Sequence, residues 1–222
     1  QQHGIPASLH GTGGAWMIAG DSADARRFDQ VVLNSLDRKV CNTLNVVAMT
    51  NHTSVHNIQA VLSGISASAS RRDTKAIVHV NKASQHRLGS CVIPENLDLR
   101  WVDNIDYAHE YEWENEPELA LYFGTDIHDC VTAFNAHSPQ FVVSCLSQDQ
   151  TDHDLIWREC NAPFVGNGFT RWVDGQYALK RPELGLSNWH GGRLLGRGGV
   201  LSGDGVHTIR LRTTQADRDV HR

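Results

Sequence analysis

The sequence predicts an α/β domain with a largely parallel sheet, and three observations lead to this fold class. The chain has 222 residues, enough to bury a core without metal ions or disulfides. It is 40% hydrophobic and 20% charged, which is ordinary for a globular domain. Segments with the pattern of buried strands alternate with segments of helical periodicity, which is typical of folds in which helices connect parallel strands.

The first part of the chain contains three predicted strands and two predicted helices. An apolar run at 15–19 lies between glycines and predicts a buried strand. The helix after it is expected to begin at a cap, Asp21 or Ser22, and to end before Cys41. The remaining elements are a strand at Leu44–Met49, a helix from Val55 that serines dilute within 63–70, and a strand at Ala76–Val80.

The second part begins with a polar stretch, residues 81–117, that has few periodic signals and predicts a surface lobe or loop. Strands and helices then alternate again: strands at Leu119–Phe123, Phe141–Leu146 and Pro163–Val165, and helices at Ile127–Ala136 and Asp152–Glu159. From residue 175 the chain is rich in glycine, which predicts a loop whose backbone approaches a neighbour closely. A β-rich run follows at Val206–Thr213.

Charge and composition exclude several classes of partner. Twenty basic and 25 acidic side chains give a formal charge of −5, and no more than two basic residues are adjacent, so nucleic acid is not expected as a partner. No apolar run approaches the roughly 18 residues needed to cross a membrane, and residues 1–20 lack the pattern of a signal peptide, so neither a membrane span nor a leader is expected from these residues. The five cysteines are widely spaced without a C-x-x-C pair, which favours a reducing, cytoplasmic setting over disulfides or a thiolate zinc site.

Cys41 is the strongest candidate for chemistry. It follows Arg38 and Lys39 at the end of a predicted helix, and we expect these cations to lower the pKa of its thiol and so to raise the fraction of nucleophilic thiolate. The alternative is a packing role, because most free cysteines are buried.

Other motifs predict less chemistry. His52 and His56 have the i, i+4 spacing of metal ligands on a helix, but the glutamate of a zinc-hydrolase helix and a third ligand are missing, so no metal site is expected. The glycine-rich residues 11–14 precede a strand, whereas phosphate-binding fingerprints follow one, and we interpret them as a turn. The acidic stretch Glu110–Glu118 is interpreted as a solvated face rather than as paired catalytic carboxylates.

Two segments carry a family resemblance. Residues 31–47, V-V-L-N-S-L-D-R-K-V-C-N-T-L-N-V-V, resemble the active-site segment of the γ-glutamyl phosphate reductase (glutamate-5-semialdehyde dehydrogenase) family, which belongs to the aldehyde dehydrogenase superfamily. Residues 165–175, V-G-N-G-F-T-R-W-V-D-G, are similar to the family's Asn-x-x-Thr-Arg-Phe-x-Asp-Gly loop. Residues 182–187 and 196–200 also resemble segments of the family, and weaker matches lie at Trp113 with Glu116 or Glu118 and at His137-Ser138.

The resemblance implies a three-layer αβα catalytic domain of the aldehyde dehydrogenase type at residues 21–175. A strand within 1–20 would enter it from a missing N-terminal region. Residues 176–222 would form a glycine-rich active-site loop and a C-terminal β strand for oligomerisation. The family builds most of its dinucleotide-binding domain before the catalytic cysteine, and only 40 residues precede Cys41, so that domain is expected to be largely missing.

The resemblance also implies a reaction, the NADP(H)-dependent reduction of an acyl phosphate to an aldehyde, as in proline biosynthesis. Cys41 would attack the acyl carbon and expel phosphate, and the thioester would then accept a hydride. The backbone N–H of Cys41 would bind the oxyanion. The residues expected to contact the substrate are Asn42, Asn167, Thr170 and Arg171, and Glu118, with Glu116 as a close second, is expected to hold the nicotinamide ribose.

Alternatives stay open for these residues and for the whole chain. Arg171 is suited to bidentate binding of a phosphate or carboxylate, or to a loop-bracing ion pair; Asn167 and Thr170 could instead satisfy backbone groups of their turn. The expected partners are a small acyl phosphate or aldehyde and either a second copy, bound through the C-terminal strand, or a chain that carries the cofactor domain. The competing hypotheses are a non-catalytic assembly module and a cofactor-free acyl transferase.

Overall fold

The structure is a computed structural model that describes residues 12–173, 189–190, 193–194 and 210–217. Its strands are β1 (Ala15–Ala19), β2 (Leu44–Thr50), β3 (Ala76–Asn81), β4 (Leu97–Val102), β5 (Glu118–Gly124), β6 (Val142–Leu146), β7 (Phe164–Gly166), β8 (Trp189–His190), β9 (Arg193–Leu194) and β10 (Leu211–Arg212). Its α-helices are α1 (Ala25–Ser35), α2 (Val55–Ser70), α3 (Gln85–Leu88), α4 (Ile127–His137) and α5 (Gln150–Glu159), and 3-10 turns lie at Lys82–Ser84 and Thr170–Val173.

Eight of the strands form one sheet in the order β10-β7-β6-β1-β2-β5-β3-β4, and every neighbouring pair is parallel. The predicted parallel α/β sheet is therefore confirmed. The other two strands, β8 and β9, make a separate antiparallel pair. The central strand β1 lies between β2 and β6, so residues 15–19 are part of the same sheet as the elements that follow.

Helices cover both faces of the sheet, which gives three layers. Met17 and Ala19 of β1 pack with residues of α1 and α2 in one buried cluster. Trp16 and Ile18, the alternate residues, pack with residues of α4 and α5 in a second cluster. Because successive side chains of a strand point to opposite faces, the two clusters lie on opposite sides of the sheet and confirm the predicted αβα architecture.

The first helix begins later than predicted. Its N-cap is Asp24, whose carboxylate accepts a hydrogen bond from the backbone N–H of Arg27 at 3.0 Å. The two predicted caps are engaged elsewhere: Thr50 donates its hydroxyl to Asp21, and Ser22 Oγ lies 2.9 Å from Ser147 Oγ. The prediction of Asp21 or Ser22 as the cap is wrong because tertiary partners use both side chains.

The serine-rich part of α2 does not weaken the helix, which continues to Ser70. Its small residues face α1. The hydroxyl of Ser68 donates to the carbonyl of Leu36 at 2.9 Å, and a Cβ atom on Gly64 would lie 2.6 Å from the carbonyl oxygen of Asp29. Small residues therefore allow the two helices to pack closely, and the expected dilution of the helix is wrong.

The polar stretch 81–117 contains more structure than predicted. It holds α3 and the edge strand β4, which was missed because its exposed residues, Asp98 and Arg100, alternate with the partly buried Leu99 and Trp101. The lobe itself is limited to residues 103–117. The prediction of a loop is thus wrong for residues 85–88 and 97–102.

The C-terminal predictions are covered only in part. Most of the glycine-rich tail, including the segments at 182–187 and 196–200, lies outside the described residues. Leu211 and Arg212 pair in parallel with β7 and form an end strand of the chain's own sheet; pairing with a second subunit stays a prediction. Across the part of the chain that the structure describes, no helix is both long and apolar enough to span a bilayer.

Candidate active site

Cys41 lies at the edge of the sheet where its parallel strands begin, which we call the amino edge. It precedes β2 by three residues, and the backbone of its loop is bound to the start of β1. The N–H of Gly14 donates to the carbonyl of Cys41 at 2.8 Å, and the N–H of Ala15 donates to the carbonyl of Thr43 at 2.8 Å. The loop that carries the thiol is therefore held firmly to the central strand.

The Cys41 side chain is half-buried, and burial is the largest influence on its pKa, which is raised from the usual value. Hydrogen bonds from the backbone N–H groups of Cys41 and Asn42, and the charge of Lys39, act in the opposite direction. Arg38 is exposed. Lys39 thus acts on the pKa in the predicted direction and Arg38 does not contribute, but the predicted net lowering of the pKa is wrong, because desolvation exceeds the effect of the one cation that is close.

The charge of Glu110 explains why Lys39 lowers the pKa of the Cys41 thiol so little. Its carboxylate forms an ion pair with the Lys39 ammonium and accepts a hydrogen bond from the backbone N–H of Gly13. Both side chains are largely buried, at 9% exposed for Lys39 and 16% for Glu110. The charge of Glu110 also raises the pKa of Cys41. The interpretation of the acidic stretch as a solvated face is wrong at this residue.

The Glu110 carboxylate and the backbone of Cys41 both lie close to Gly13. A Cβ atom placed on Gly13 would lie 2.6 Å from Oε1 of Glu110 and 2.9 Å from Cα of Cys41. The lobe that carries Glu110 is tied to the strand after Cys41, since the Asn45 amide donates to the carbonyl of His109 at 2.9 Å and accepts from the N–H of Tyr111 at 3.0 Å. Sequence reasoning missed Glu110, because only this packing brings the lobe to the thiol.

Three of the predicted substrate residues lie beside the Cys41 loop. Thr170 donates its hydroxyl to the carbonyl of Asn42 at 2.7 Å. Arg171 is 2% exposed, and its Nη1 lies 3.1 Å from Oδ1 of Asp37. In the described part of the chain, the buried Nε of Arg171 has no hydrogen-bond partner. The structure thus brings Asn42, Thr170 and Arg171 together and shows the loop-bracing ion pair; their contact with substrate stays a prediction.

Asn167 is not part of this group. Its side-chain oxygen accepts from the N–H of Gln215 at 2.7 Å, and its carbonyl accepts from Arg27 at 2.8 Å. It lines a crevice of about 480 Å³ at the opposite edge, where the strands end, together with Asp24, Ser147 and Gln215. We call this the carboxyl-edge crevice.

Glu118 is the first residue of β5, a neighbour of β2, and so lies on the amino edge. Its carboxylate is 2.6 Å from Nε2 of His79, whose ring stacks on Tyr111 with centroids 4.6 Å apart. Glu116 is exposed. A carboxylate can accept a hydrogen bond from a ribose hydroxyl as well as from His79. The role of Glu118 at a nicotinamide ribose therefore stays a prediction.

Neither a metal site nor a full cofactor site is formed by the described residues. Among them, no group of three His, Cys, Asp or Glu side chains could hold a metal ion, and His52 and His56 are exposed. For a dinucleotide, the glycine turn beside Cys41 is filled by Glu110, and Glu118 is already bound to His79. The described residues alone therefore do not fit a whole dinucleotide.

Several solved structures share the fold of this chain. The γ-glutamyl phosphate reductase of Thermotoga maritima superposes with a TM-score of 0.61 at 16% identity, over 78% of this chain and 39% of that chain. An acetylating aldehyde dehydrogenase from Geobacillus thermoglucosidasius gives 0.54 at 13% identity, over 95% of this chain and 50% of that one. The γ-glutamyl phosphate reductase of Saccharomyces cerevisiae gives 0.50 at 15% identity, over 76% and 39%.

These neighbours define the fold class. The chain has the α/β fold of an aldehyde dehydrogenase-type catalytic domain, and it spans 39% of the length of the γ-glutamyl phosphate reductases that share this fold. No protein-family model and no curated protein matches it by sequence.

Proposed function

We propose that this chain is the catalytic portion of an aldehyde dehydrogenase-like oxidoreductase in which Cys41 takes up the acyl group of an acyl phosphate such as γ-glutamyl phosphate. The observation that carries the proposal is the position of Cys41. Its thiol lies on the amino edge of this fold, in a loop bound to β1, with two backbone N–H groups directed at the sulfur. Those donors stabilise negative charge on the sulfur as it becomes a nucleophile.

In the proposed reaction the sulfur forms a bond to the acyl carbon, and the bond from that carbon to the phosphate oxygen breaks. The product on the protein is a thioester. NADP(H), when bound, supplies the hydride that reduces the acyl group to the aldehyde. The backbone N–H of Cys41 serves as an oxyanion donor during the attack.

The neighbouring residues are proposed to position the substrate. Arg171 is buried beside the loop, and its unpartnered Nε is suited to a phosphate or carboxylate oxygen. Thr170 holds the carbonyl of Asn42 and so sets the direction of the N–H groups around the sulfur. The carboxylate of Glu118, on the same edge, is suited to a ribose hydroxyl.

Intact-protein mass spectrometry with acetyl phosphate tests the proposal. We expect the 222-residue chain to gain one acetyl group, the Cys41→Ser variant to gain none, and the Cys91→Ser variant to behave like the parent. Cys91 is the matched control because it is the other half-buried cysteine, whereas Cys130, Cys145 and Cys160 are buried. Equal acetylation of the Cys41→Ser variant would exclude the proposed nucleophile.

The same measurement decides the competing function. An assembly module that keeps the fold without its chemistry would leave Cys41 unacylated. The raised pKa of the Cys41 thiol favours the assembly module in the absence of substrate, since a protonated thiol is a weak nucleophile. A catalytic Cys41 therefore requires a group that takes its proton.

A further inference from the structure

Lys39 supplies a largely buried amine on the same loop as Cys41. Its side chain is 9% exposed and forms an ion pair with Glu110. The turn that follows Lys39 is closed by Thr43, whose N–H donates to the carbonyl of Val40 at 3.0 Å and whose Oγ1 accepts from the N–H of Val40 at 2.8 Å. The amine and the sulfur are thus carried by one closed turn, two residues apart.

The Glu110 carboxylate holds the Lys39 ammonium next to Cys41. A Cβ atom placed on Gly13 would lie 2.6 Å from Oε1, the oxygen that contacts the ammonium, and 2.9 Å from Cα of Cys41. The charge of the ammonium accordingly acts on the thiol. The lysine stem is flexible, so the amine can move from the carboxylate to a group on the sulfur while the backbone of the turn stays in place.

We propose that Lys39 is a self-modification site, which receives the acyl group from Cys41 when no NADP(H) is bound to reduce the thioester. The inference rests on the proposed function and adds a second acceptor to it. Nζ of Lys39, after losing a proton, attacks the acyl carbon; the bond from that carbon to the sulfur breaks and a bond to nitrogen forms. Of the two protons that the ammonium loses, one ends on the sulfur and the other passes to solvent. The products are an amide on Lys39 and a free thiol on Cys41.

The transfer has a consequence for the thiol. Because the amine and the thioester belong to one turn, their reaction is intramolecular and gains the rate advantage of proximity. Acylation removes the positive charge of Lys39, so Glu110 loses its ion-pair partner, and the cation that acts to lower the pKa of Cys41 is gone. A chain that has moved one acyl group to Lys39 therefore has a less reactive thiol and takes up a second group slowly.

Hydroxylamine distinguishes the two acceptors, because it cleaves a thioester and leaves an amide intact. After incubation of the parent chain with acetyl phosphate, peptide mapping should find hydroxylamine-resistant acetyl on Lys39 at about tenfold the level on Lys82. Lys82 is the matched control: it also forms an ion pair, with Asp103 at 2.8 Å, but it follows β3 and so lies at the opposite edge of the sheet from Cys41. In the Cys41→Ser variant, Lys39 should carry no more acetyl than Lys82.

The Lys39→Arg variant completes the test, since it keeps a cation for Glu110 but offers no amine; its acetyl group should stay on Cys41 and be released by hydroxylamine. Equal acetylation of Lys39 in the parent and in Cys41→Ser would mean that acetyl phosphate reacts with the amine directly, and would overturn the inference. A parent chain whose acetyl group stays on Cys41 would also overturn it, although the proposed function would stand. If neither Lys39→Arg nor the parent at early times carries a labile acetyl group on Cys41, the proposed function itself fails.

Discussion

The two edges of the sheet use their polar side chains in opposite ways. At the amino edge, Lys39 and Glu110 form a largely buried ion pair beside Cys41, the proposed nucleophile. The carboxyl-edge crevice is the place where parallel sheets usually bind ligands, because β1 and β6 lead there into helices on opposite faces. Its polar groups instead hold the chain together. Topology alone therefore directs attention to the carboxyl edge, whereas the proposed chemistry lies at the amino edge.

The carboxyl-edge crevice owes its composition to the C-terminal segment 210–217. Arg27 donates to the carbonyls of Asn167 and Gln215 at 2.8 and 3.2 Å. At the start of this segment, just before β10 and therefore on the amino edge, Arg210 donates to the carbonyls of Cys160 and Ala162 at 2.6 and 2.7 Å. These are structural hydrogen bonds, and they attach the last described strand to β7 and α5. If the comparison is right, replacements in the Cys41 loop change reactivity, and replacements that detach the C-terminal segment change stability.

The largest effect is expected from Gly13→Ala at the amino edge. The added methyl group would collide with Glu110 and with the backbone of Cys41, so the loop and the carboxylate must move apart. We expect acetylation of Cys41 to fall by about 100-fold, with a stability loss of about 1–3 kcal/mol from overpacking. Quenched time courses measure the acetylation rate, and urea unfolding measures the stability.

Gly89→Ala is the control for this change, because a Cβ there would meet only the carbonyl oxygen of His86 at 3.5 Å, an ordinary contact. Its acetylation rate should equal that of the parent. A Gly13→Ala chain that acetylates normally would show that the reaction does not depend on the close packing around the Cys41 loop, and the difference between the edges would lose its chemical basis.

How far the sequence predicts this molecule depends on the range of the interaction. Apolar periodicity predicts β1, β2 and α4 within a few residues, because the sheet and its helices bury those faces. The sequence does not predict Asp24 as the N-cap of α1. The two other candidate caps, Asp21 and Ser22, are bound by Thr50 and Ser147, which are distant in sequence. The Cys41 motif indicates the nucleophile, but the charge around it depends on Glu110, brought there by a lobe without periodicity.

The next largest effect is expected from Arg210→Met, which should change stability alone. The variant removes the hydrogen bonds from the guanidinium to the carbonyls of Trp157, Cys160 and Ala162, and it removes the stacking of that guanidinium 4.2 Å from the Trp157 ring. We expect the free energy of unfolding to fall by about 3 kcal/mol, with the alkylation rate of Cys41 unchanged. Urea denaturation and iodoacetamide labelling provide the measurements.

Arg212→Met is its matched control. Arg212 pairs with Asp154 at 2.7 Å, but both side chains are more than one-third exposed, so its loss should cost no more than about 1 kcal/mol. Slower labelling of Cys41 in the Arg210→Met variant would mean that the C-terminal segment and the Cys41 loop are coupled, contrary to the comparison.

The smallest effect is expected from Asn167→Ala, and it sharpens the comparison most, because the family resemblance assigns Asn167 to the substrate whereas the structure places it in the carboxyl-edge crevice. Loss of its hydrogen bond to the N–H of Gln215 should lower stability by about 1 kcal/mol and leave acetylation of Cys41 unchanged. Thr170→Val, which removes the bond to the Asn42 carbonyl, should slow acetylation severalfold at a similar cost in stability. If Asn167→Ala slowed acetylation as much as Thr170→Val, Asn167 would have to reach the substrate, as the family resemblance implies. The proposal that only the amino edge takes part in the reaction would then be wrong.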